Sequence, residues 1–379
     1  MKRKNTNVAN KAYKFRVYPN EEQQVLLHKT FGCVRFIWNT LLTDYNKSYE
    51  ETGKGVLNTP AKYKEFFVWL KEVDSLALCN VQLSLSEAFK NFFENPKHFG
   101  LPQFKSKKKC KNSYTTNFVN NNIKISKEGI TLPKLGCVKT KLHRPLPTDA
   151  VLKGATVSQT KTGKYFVSLL FEYENQVSKR EDLNNSLGLD MMLNGLYMDS
   201  NGTSAEMPHF YRRVEKKLAD AQRKLSNLYV PNKDQSKRYY KQKVKVAKIH
   251  EKLYNQRIDF LHKLSLSLVS EYDYIFIEDL DLDSMKQDDH GKSVSEISWS
   301  KFVNMLLYKA EMYGCNIVKV DKFYPSTQIC SNCGAHTGKK DITIREWKCP
   351  ECGSVHDRDH NSAINILIEG KRIILSTRQ

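Results

Sequence analysis

The sequence predicts a multidomain protein of the α+β class, and three patterns lead to this prediction. Alternating apolar residues occur at 13–18 and over 123–173, and a helical pattern at 21–93 separates them. Beyond residue 185, long helical segments alternate with short apolar strands, and two cysteine pairs lie near the end of this region. We therefore expect a small β-barrel with an inserted helical unit, followed by an α/β unit that contains a metal-binding ribbon.

The β-barrel prediction depends on short strands that turns separate. The strand at 13–18 ends before Pro19, and Gly163 in "TKTGKYF" is typical of a hairpin turn. Five further strands are expected at Ile123–Ile125, Ile130–Leu132, Cys137–Thr140, Thr156–Gln159 and Tyr165–Phe171. The segment 178–185, "SKREDLNN", is predicted to be a linker.

The inserted helical unit is rich in aromatic residues. We expect them to lie in its core rather than to stack on nucleobases, because they follow a helical period. They are Phe66, Phe67, Trp69, Phe89, Phe92 and Phe93.

The charge balance indicates a polyanionic partner. The chain has 61 Lys and Arg against 41 Asp and Glu, a formal net charge of +20. Basic side chains release counterions when they neutralise phosphates, so nucleic acid is the expected partner. The alternative is a solvated basic surface. The candidate contacts are Lys105, Lys107, Lys108 and Lys109 in a loop and Arg212, Arg213, Lys216 and Arg223 on the polar face of a helix.

The chain shows no pattern of membrane insertion or secretion. No run of about 18 apolar residues occurs, and the N-terminal "MKRKNTNVANKAY" is basic without an apolar stretch. We expect a cytoplasmic protein with no membrane partner.

Two cysteine pairs predict a structural zinc site. Cys330 and Cys333 form one CxxC pair, Cys349 and Cys352 form the other, and 15 residues separate the pairs. A glycine follows each pair, as a tight metal-binding turn requires. Four thiolates close a tetrahedral site around Zn²⁺ and leave no position open for catalysis. A redox CxxC pair is the alternative, but it does not explain two copies.

Carboxylates at strand ends and at a helix start predict a second metal site. Asp190 ends the apolar run "SLGLD", Glu278 ends "YDYIFIE", and Asp357 and Asp359 precede the helical "NSAINILIEG". Three such acids would suit a ribonuclease-H-like site, where carboxylates hold two Mg²⁺ ions about 3.5–4 Å apart. An aspartate before a helix is also a common N-cap, and periodicity does not choose between Asp357 and Asp359.

Longer stretches of the sequence closely resemble the TnpB family of transposon-encoded RNA-guided DNA nucleases, which are related to type V CRISPR effectors. The similar segments cover most of the chain in the family's order and include "YKFRVYPNEEQQVLLHKTFGCVRFIWN", "LPQFKSKKK", "IEDL", "PSTQICSNCG" and "CPECG…HDRDHNSAINIL".

The resemblance implies a domain layout. It implies a wedge β-barrel, an inserted helical recognition domain, a ribonuclease-H-like (RuvC) nuclease domain split along the chain, and a zinc ribbon inserted in the nuclease fold. The expected ranges are 1–20 and 120–180 for the wedge, 21–119 for recognition, 181–326 and 356–379 for the nuclease, and 327–355 for the ribbon.

The resemblance also implies an activity. It assigns Asp190, Glu278 and Asp359 as catalytic Mg²⁺ ligands, with Mn²⁺ as a substitute. Asp359 is preferred to Asp357 because it lies nearer the helix pattern, and Asp357 would cap the helix or pair with Arg345 or Arg358. The implied partners are a guide RNA from the transposon end and double-stranded target DNA beside a short duplex motif. We expect a monomer carrying one RNA in a prokaryotic cytoplasm, associated with the nucleoid when bound to DNA.

One stretch departs from the family pattern. After Asp190 the family has a small residue and a lysine, whereas this chain has Met192 and Asn194. A nuclease-inactive RNA-guided repressor is therefore the main alternative, although such relatives typically lose the acids that this chain retains. A transposase would need a His pair and a nucleophilic Tyr, which the sequence does not offer. A zinc-ribbon protein without enzymatic activity leaves the acids unexplained.

Overall fold

A computed structural model describes residues 8–192, 195–206, 210–280, 294–341 and 343–378, without the side chains of 210–213 and 294–297. The chain forms two compact units, Met1–Asn175 and Gln176–Gln379. None of the helices in the described ranges has an apolar stretch long enough to cross a membrane.

The first unit contains the predicted helical insertion. Its helices are α1 (Glu21–Thr52), α2 (Pro60–Phe66) and α3 (Ser75–Glu94), with a 3₁₀ turn at Val68–Glu72. Helix α1 begins at a capping box between Asn20 and Gln23 and ends at Gly53, whose φ is 70°. Side-chain caps therefore fix the start of the longest helix in this unit, and a left-handed glycine fixes its end.

The prediction of an aromatic core in the helical unit is only partly right. Phe89 is buried, but Phe66, Trp69 and Phe93 are exposed, with Phe66 at 71%. Phe93 lies in the last turn of α3. For Phe66 and Trp69 the reason is that the helical pattern breaks at Phe67, directly before the 3₁₀ turn at Val68–Glu72. The periodicity of a continuous helix does not apply across that break.

A seven-stranded antiparallel sheet forms the remainder of the first unit. Its order is β2-β6-β7-β1-β5-β4-β3. The strands are β1 (Val8–Tyr18), β2 (Asn112–Asn117), β3 (Lys124–Ile125), β4 (Gly129–Leu132), β5 (Gly136–Thr140), β6 (Val151–Gln159) and β7 (Tyr165–Glu174). As predicted, the N-terminal strand joins this sheet, and Gly163 (φ 85°) turns between β6 and β7.

Two details of this sheet differ from the prediction. Strand β2 pairs with β6 and so belongs to the sheet, although its residues were assigned to the helical domain. Among the described residues no ladder joins β2 to β3, so the hydrogen bonding does not close into a full barrel. Phe15, Val17 and Val167 nevertheless share one buried core with α1.

The second unit is an α/β sandwich. Its sheet has the order β10-β9-β8-β11-β12, with β8, β11 and β12 parallel. The elements are β8 (Ser186–Met191), β9 (Tyr197–Asp199), β10 (Ser204–Ala205), α4 (Phe210–Asn227), α5 (Lys237–Glu271), β11 (Tyr274–Glu278), α6 (Val294–Tyr313), β12 (Asn316–Val320), β13 (Glu346–Lys348), β14 (Val355–Asp357) and α7 (Arg358–Thr377).

Helices cover both faces of this parallel sheet. Leu189 and Ile277 pack on one face against α5 and α6, where Phe302 is fully buried. On the other face Phe276 packs against Ile366 of α7. Burial on both faces explains why these strands read as continuous apolar runs in the sequence.

The segment 178–185 connects β7 to β8, as predicted for a linker, and hydrogen bonds hold it against the rest of the second unit. The Arg180 guanidinium donates hydrogen bonds to the carbonyl oxygens of Val269 and Tyr272, the latter at 2.8 Å. The backbone N–H of Asp182 donates to the Asp273 carboxylate at 3.1 Å. Arg180 thus satisfies carbonyl groups at the C-terminal end of α5, where a cation is favoured.

Candidate functional site

The four paired cysteines converge as their spacing predicts. Their sulfur atoms lie within 4.8 Å of one another. At each CxxC turn a glycine N–H donates to the carbonyl of the first cysteine, from Gly334 to Cys330 at 2.8 Å and from Gly353 to Cys349 at 3.0 Å. Four thiol ligands at this separation fit a structural Zn²⁺.

A histidine that sequence reasoning missed lies against this cysteine cluster. The Nε2 atom of His356 is 3.1 Å from the sulfur of Cys330. The His356 ring packs on Trp347 with 4.8 Å between ring centroids. An imidazole N–H in this position can donate to a metal-bound thiolate and so orient it.

The parallel strands β8 and β11 bring two of the predicted acids side by side. The register pairs Leu189 with Ile277, so Asp190 and Glu278 follow next to each other at the carboxyl ends of adjacent strands. Asp190 is 8% exposed. The carboxyl end of a parallel sheet is where α/β proteins place their ligands.

Helix α7 delivers the third acid to the same edge. Asp359 lies in its first turn and is 6% exposed. The helix packs so closely on β8 that a Cβ at Gly188 would lie 2.3 Å from the carbonyl oxygen of Ala363. This approach explains how the start of α7 reaches Asp190.

Burial and the charges of the two other acids act on Asp190. The pKa of Asp190 is raised well above its usual value, first by burial and then by the negative charges of Glu278 and Asp359. Burial raises the pKa of Glu278 to about 7. Carboxylates forced together in this way are typical of a site built for a cation.

The donor set fits a hard divalent cation, because Mg²⁺ prefers carboxylate oxygens. Within the part of the chain that the structure describes, only the cysteines form a set of three or more metal ligands within 4.8 Å of one another. The carboxylates are therefore less tightly gathered than the thiols, as expected for ligands that also leave room for substrate phosphates.

Asp357 is the N-cap of α7, as predicted. Its Oδ1 accepts a hydrogen bond from the backbone N–H of His360 at 2.8 Å, as the N-cap of α7. The arginine pairing, however, belongs to Asp359. Arg345 Nη1 is 2.9 Å from Asp359 Oδ2, and Arg358 Nε is 3.5 Å from Asp359 Oδ1.

Buried amides join the cysteine ribbon to α7. Asn361 accepts from the backbone N–H of Ser331 at 2.9 Å and donates to the carbonyl of Ile329 at 2.8 Å. Asn365 donates to the same carbonyl at 2.7 Å and to that of Ser326 at 2.8 Å. Their signal in the sequence is a pair of asparagines one turn apart on the buried face of the helix.

The lysines predicted to contact phosphates differ in their surroundings. Lys105 Nζ lies 3.2 Å from the ring centroid of Trp38, and burial lowers the pKa of Lys105. Asn39 also bonds to both backbone polar groups of Lys105, at 2.8 and 3.0 Å. Lys105 is therefore packed in place, whereas Lys107, Lys108 and Lys109 are exposed.

A basic groove lies between α4 and α5. Its volume is about 800 Å³. Its lysines are Lys216, Lys217, Lys224, Lys245 and Lys248. Arg223 is exposed nearby and lies 3.3 Å from Asp220. The predicted side chains of Arg212 and Arg213, and the whole of Asn194, lie outside the described residues.

Three family models match parts of the chain. The model "Helix-turn-helix domain" of the OrfB IS605 type matches residues 7–54, and the model "Probable transposase" of the same type matches residues 168–289. The model "Cas12f1-like, TNB domain" matches residues 299–366, which include the cysteine ribbon.

Curated relatives match over nearly the whole chain. A "Putative RNA-guided DNA endonuclease" of Streptomyces pristinaespiralis is 34% identical over 373 residues, which are 95% of this chain and 89% of the relative. The InsQ protein of Escherichia coli K12, with the same description, is 29% identical and covers 96% and 93%. "TnpB-like protein L79" of Acanthamoeba polyphaga mimivirus is 25% identical and covers 97% and 75%.

A solved structure shares the fold. The chain aligns with a protein in the cryo-EM structure of a Cas12f1–sgRNA–target DNA complex at a TM-score of 0.59 and 13% identity. The alignment covers 96% of this chain and 99% of that protein.

Replacing Cys349 with Ser should remove zinc and destabilise the ribbon. One lost thiolate opens the tetrahedral site, and in so small a unit metal binding supplies much of the folding free energy. Zinc content should fall well below one ion per chain in elemental analysis of the purified protein. The matched control is Cys137→Ser, an exposed cysteine outside the ribbon, which should keep its zinc. Equal zinc in both variants would contradict the assignment.

Replacing Glu278 with Gln should stabilise the protein at high pH when no divalent cation is added. The folded protein holds the Glu278 proton up to a pKa of about 7, against a usual value of 4.5. The stability that protonated Glu278 provides is therefore complete below about pH 4.5 and is lost as the pH rises through about 7. Glu278→Gln should raise Tm by several degrees at about pH 8 and little at about pH 4.5.

The exposed Glu351→Gln is the control for this pH effect, and its Tm should follow that of the wild type at both pH values. A Glu278→Gln variant that is no more stable than wild type at the higher pH would show that Glu278 is not held protonated by its surroundings.

Proposed function

The chain belongs to the TnpB family, and from this premise we propose that it is an RNA-guided DNA endonuclease. It would cleave target DNA beside a short duplex motif by two-metal phosphodiester hydrolysis. The relative from Streptomyces pristinaespiralis supports family membership through 34% identity over nearly the full length of both chains.

The observation that carries the proposal is the convergence of three acids at one sheet edge. Asp190 and Glu278 end adjacent parallel strands, and Asp359 approaches them from the first turn of α7. The raised pKa of Asp190 reflects its burial first and then the charges of the other two acids. A purely structural role would not favour gathering two buried carboxylates and one half-buried carboxylate at one edge, because each additional charge opposes folding.

In the proposed mechanism the chain holds cations and positions the phosphodiester. Asp190, Glu278 and Asp359 would supply the ligands, with Mg²⁺ as the natural ion and Mn²⁺ as a substitute. The chemistry that such ions supply when bound is activation of the attacking water and stabilisation of the leaving 3′ oxygen. Hydrolysis of this kind leaves 5′-phosphate and 3′-hydroxyl ends.

The proposed domain layout follows the family. Supporting it, the first compact unit ends at Asn175, near the expected end of the wedge. We assign the wedge to 1–20, to strand β2 (Asn112–Asn117) and to 120–180. The rest of 21–119 is assigned to recognition, 181–326 and 356–379 to the nuclease, and 327–355 to the zinc ribbon.

The proposed partners are a guide RNA from the transposon end and double-stranded target DNA. Sequence specificity would come from base pairing between guide RNA and target DNA, while the protein would contact the sugar–phosphate backbone of the nucleic acid. The solved complex that shares this fold contains a guide RNA and target DNA. The basic groove of α4 and α5, with Lys216 and Arg223, offers a surface for phosphates, as do Lys107, Lys108 and Lys109. We propose one RNA per monomer and action in a prokaryotic cytoplasm.

The inactive-repressor alternative is less well supported. Such a protein would need only to bind, so nothing would maintain a buried acid cluster. Here Asp190, Glu278 and Asp359 are all retained and gathered. The departure from the family pattern at Met192 lies beside the cluster and removes none of these acids.

Replacing Asp359 with Asn should abolish DNA cleavage while leaving guided DNA binding intact. The substitution removes a metal ligand but keeps the side-chain volume, and phosphate contacts elsewhere hold the substrate. The measurement is Mg²⁺-dependent cleavage of a matched duplex by the protein bound to its cognate RNA, with DNA affinity measured in parallel.

The matched control is Asp357→Asn, two residues earlier. Asn is as good an N-cap as Asp, so α7 should still form and cleavage should continue at a reduced but measurable rate. If Asp357→Asn is inactive and Asp359→Asn still cuts, the roles of these two acids are reversed. If both variants cut at the rate of the wild type, the acid cluster is not the cleavage site.

A further inference from the structure

The side chain of Arg345 joins the zinc ribbon to the acid cluster. It comes from the segment that leads into β13, and its guanidinium lies 2.9 Å from Asp359 Oδ2. The Arg345 side chain is 43% exposed, whereas that of Asp359 is 9% exposed. The contact is therefore open to solvent on the arginine side only, and the guanidinium has room to leave.

The backbone beneath Arg345 is held in place. The carbonyl oxygen of Arg345 accepts a hydrogen bond from the backbone N–H of Arg358 at 2.7 Å. Asn361 fixes the first cysteine turn of the ribbon to α7 through bonds of 2.8 and 2.9 Å. Any change at this contact can therefore occur by rotation of the Arg345 side chain, without movement of the ribbon.

A guanidinium and a divalent cation need the same lone pairs of Asp359. The Oδ2 atom accepts from Arg345, and Oδ1 faces Arg358 at 3.5 Å. The Arg358 side chain is 14% exposed and is anchored near the cluster. Of the two arginines, Arg345 is the one that can exchange, because its charge can move into water at little cost.

We propose that Arg345 is an exchangeable counter-ion of Asp359, which a divalent cation must displace from the carboxylate. The zinc ribbon thereby sets the affinity of the acid cluster for its metal. This inference rests on the acid cluster of the proposed function, and it adds a residue outside the predicted ligand set that controls metal loading.

The test measures Mn²⁺ binding by electron paramagnetic resonance, with the full zinc-loaded chain and no nucleic acid. Arg345→Gln removes the competing charge and should tighten Mn²⁺ binding about tenfold. This factor corresponds to the lower end of the free energies of hydrogen bonds to charged groups. The matched control is Lys348→Gln, which removes the same charge from β13, where Lys348 is exposed. It should leave the affinity within about twofold of the wild type, because exposed charges at a distance are screened.

A parallel titration of Asp190→Asn identifies which Mn²⁺ ions belong to the acid cluster. If that variant loses the site but Arg345→Gln binds like Lys348→Gln, or more weakly, the counter-ion proposal is overturned and the proposed function stands. If Asp190→Asn retains every Mn²⁺ ion, the cluster is not a divalent-metal site, and the proposed function fails together with this inference.

Discussion

The candidate site depends on the close packing of α7 against strand β8. A Cβ at Gly188 would approach the backbone oxygen of Ala363 to 2.3 Å, and one at Gly370 would lie 2.0 Å from the ring of Phe276. Two glycines, one on the strand and one on the helix, thus let the helix lie directly on the sheet. Only at that distance does the first turn of α7 place Asp359 beside two acids that the parallel strands have already aligned.

This arrangement opposes folding, and the rest of the second unit compensates. Burial and mutual repulsion raise the pKa of Asp190, so the cluster is ionised only at a cost in stability. The positively charged side chains of Arg345 and Arg358 form ion pairs with Asp359 and so reduce the cost of ionising that carboxylate. The zinc ribbon contributes through Asn361 and Asn365, which bond to its backbone and fix the start of α7. The ribbon is therefore part of the site's support as well as an insertion beside it.

The sequence predicts those features of the fold that local pattern determines. The apolar runs ending at Asp190 and Glu278 do form adjacent buried strands, and the CxxC spacing does bring four sulfurs together, since each turn is a local geometry. Local pattern could not predict the ion pair between Arg345 and Asp359. The two residues are 14 positions apart in the sequence, and they meet only when the ribbon folds against the start of α7. The contact of Lys105 with Trp38 could not be predicted for a similar reason: a basic loop residue carries no sign that an aromatic ring on a distant helix will pack against it.

The dependence of the acid cluster on helix packing is tested most directly by the cleavage rate of a Gly188→Ala variant bound to its RNA, measured under single-turnover conditions with a matched duplex. An added methyl group meets backbone rather than a flexible side chain, so α7 must shift and carry Asp359 away from Asp190. We expect a large loss of cleavage, with zinc content and guided DNA binding retained. Cleavage at the rate of the wild type would contradict this expectation, because the three acids would then not need the close approach of α7 to β8.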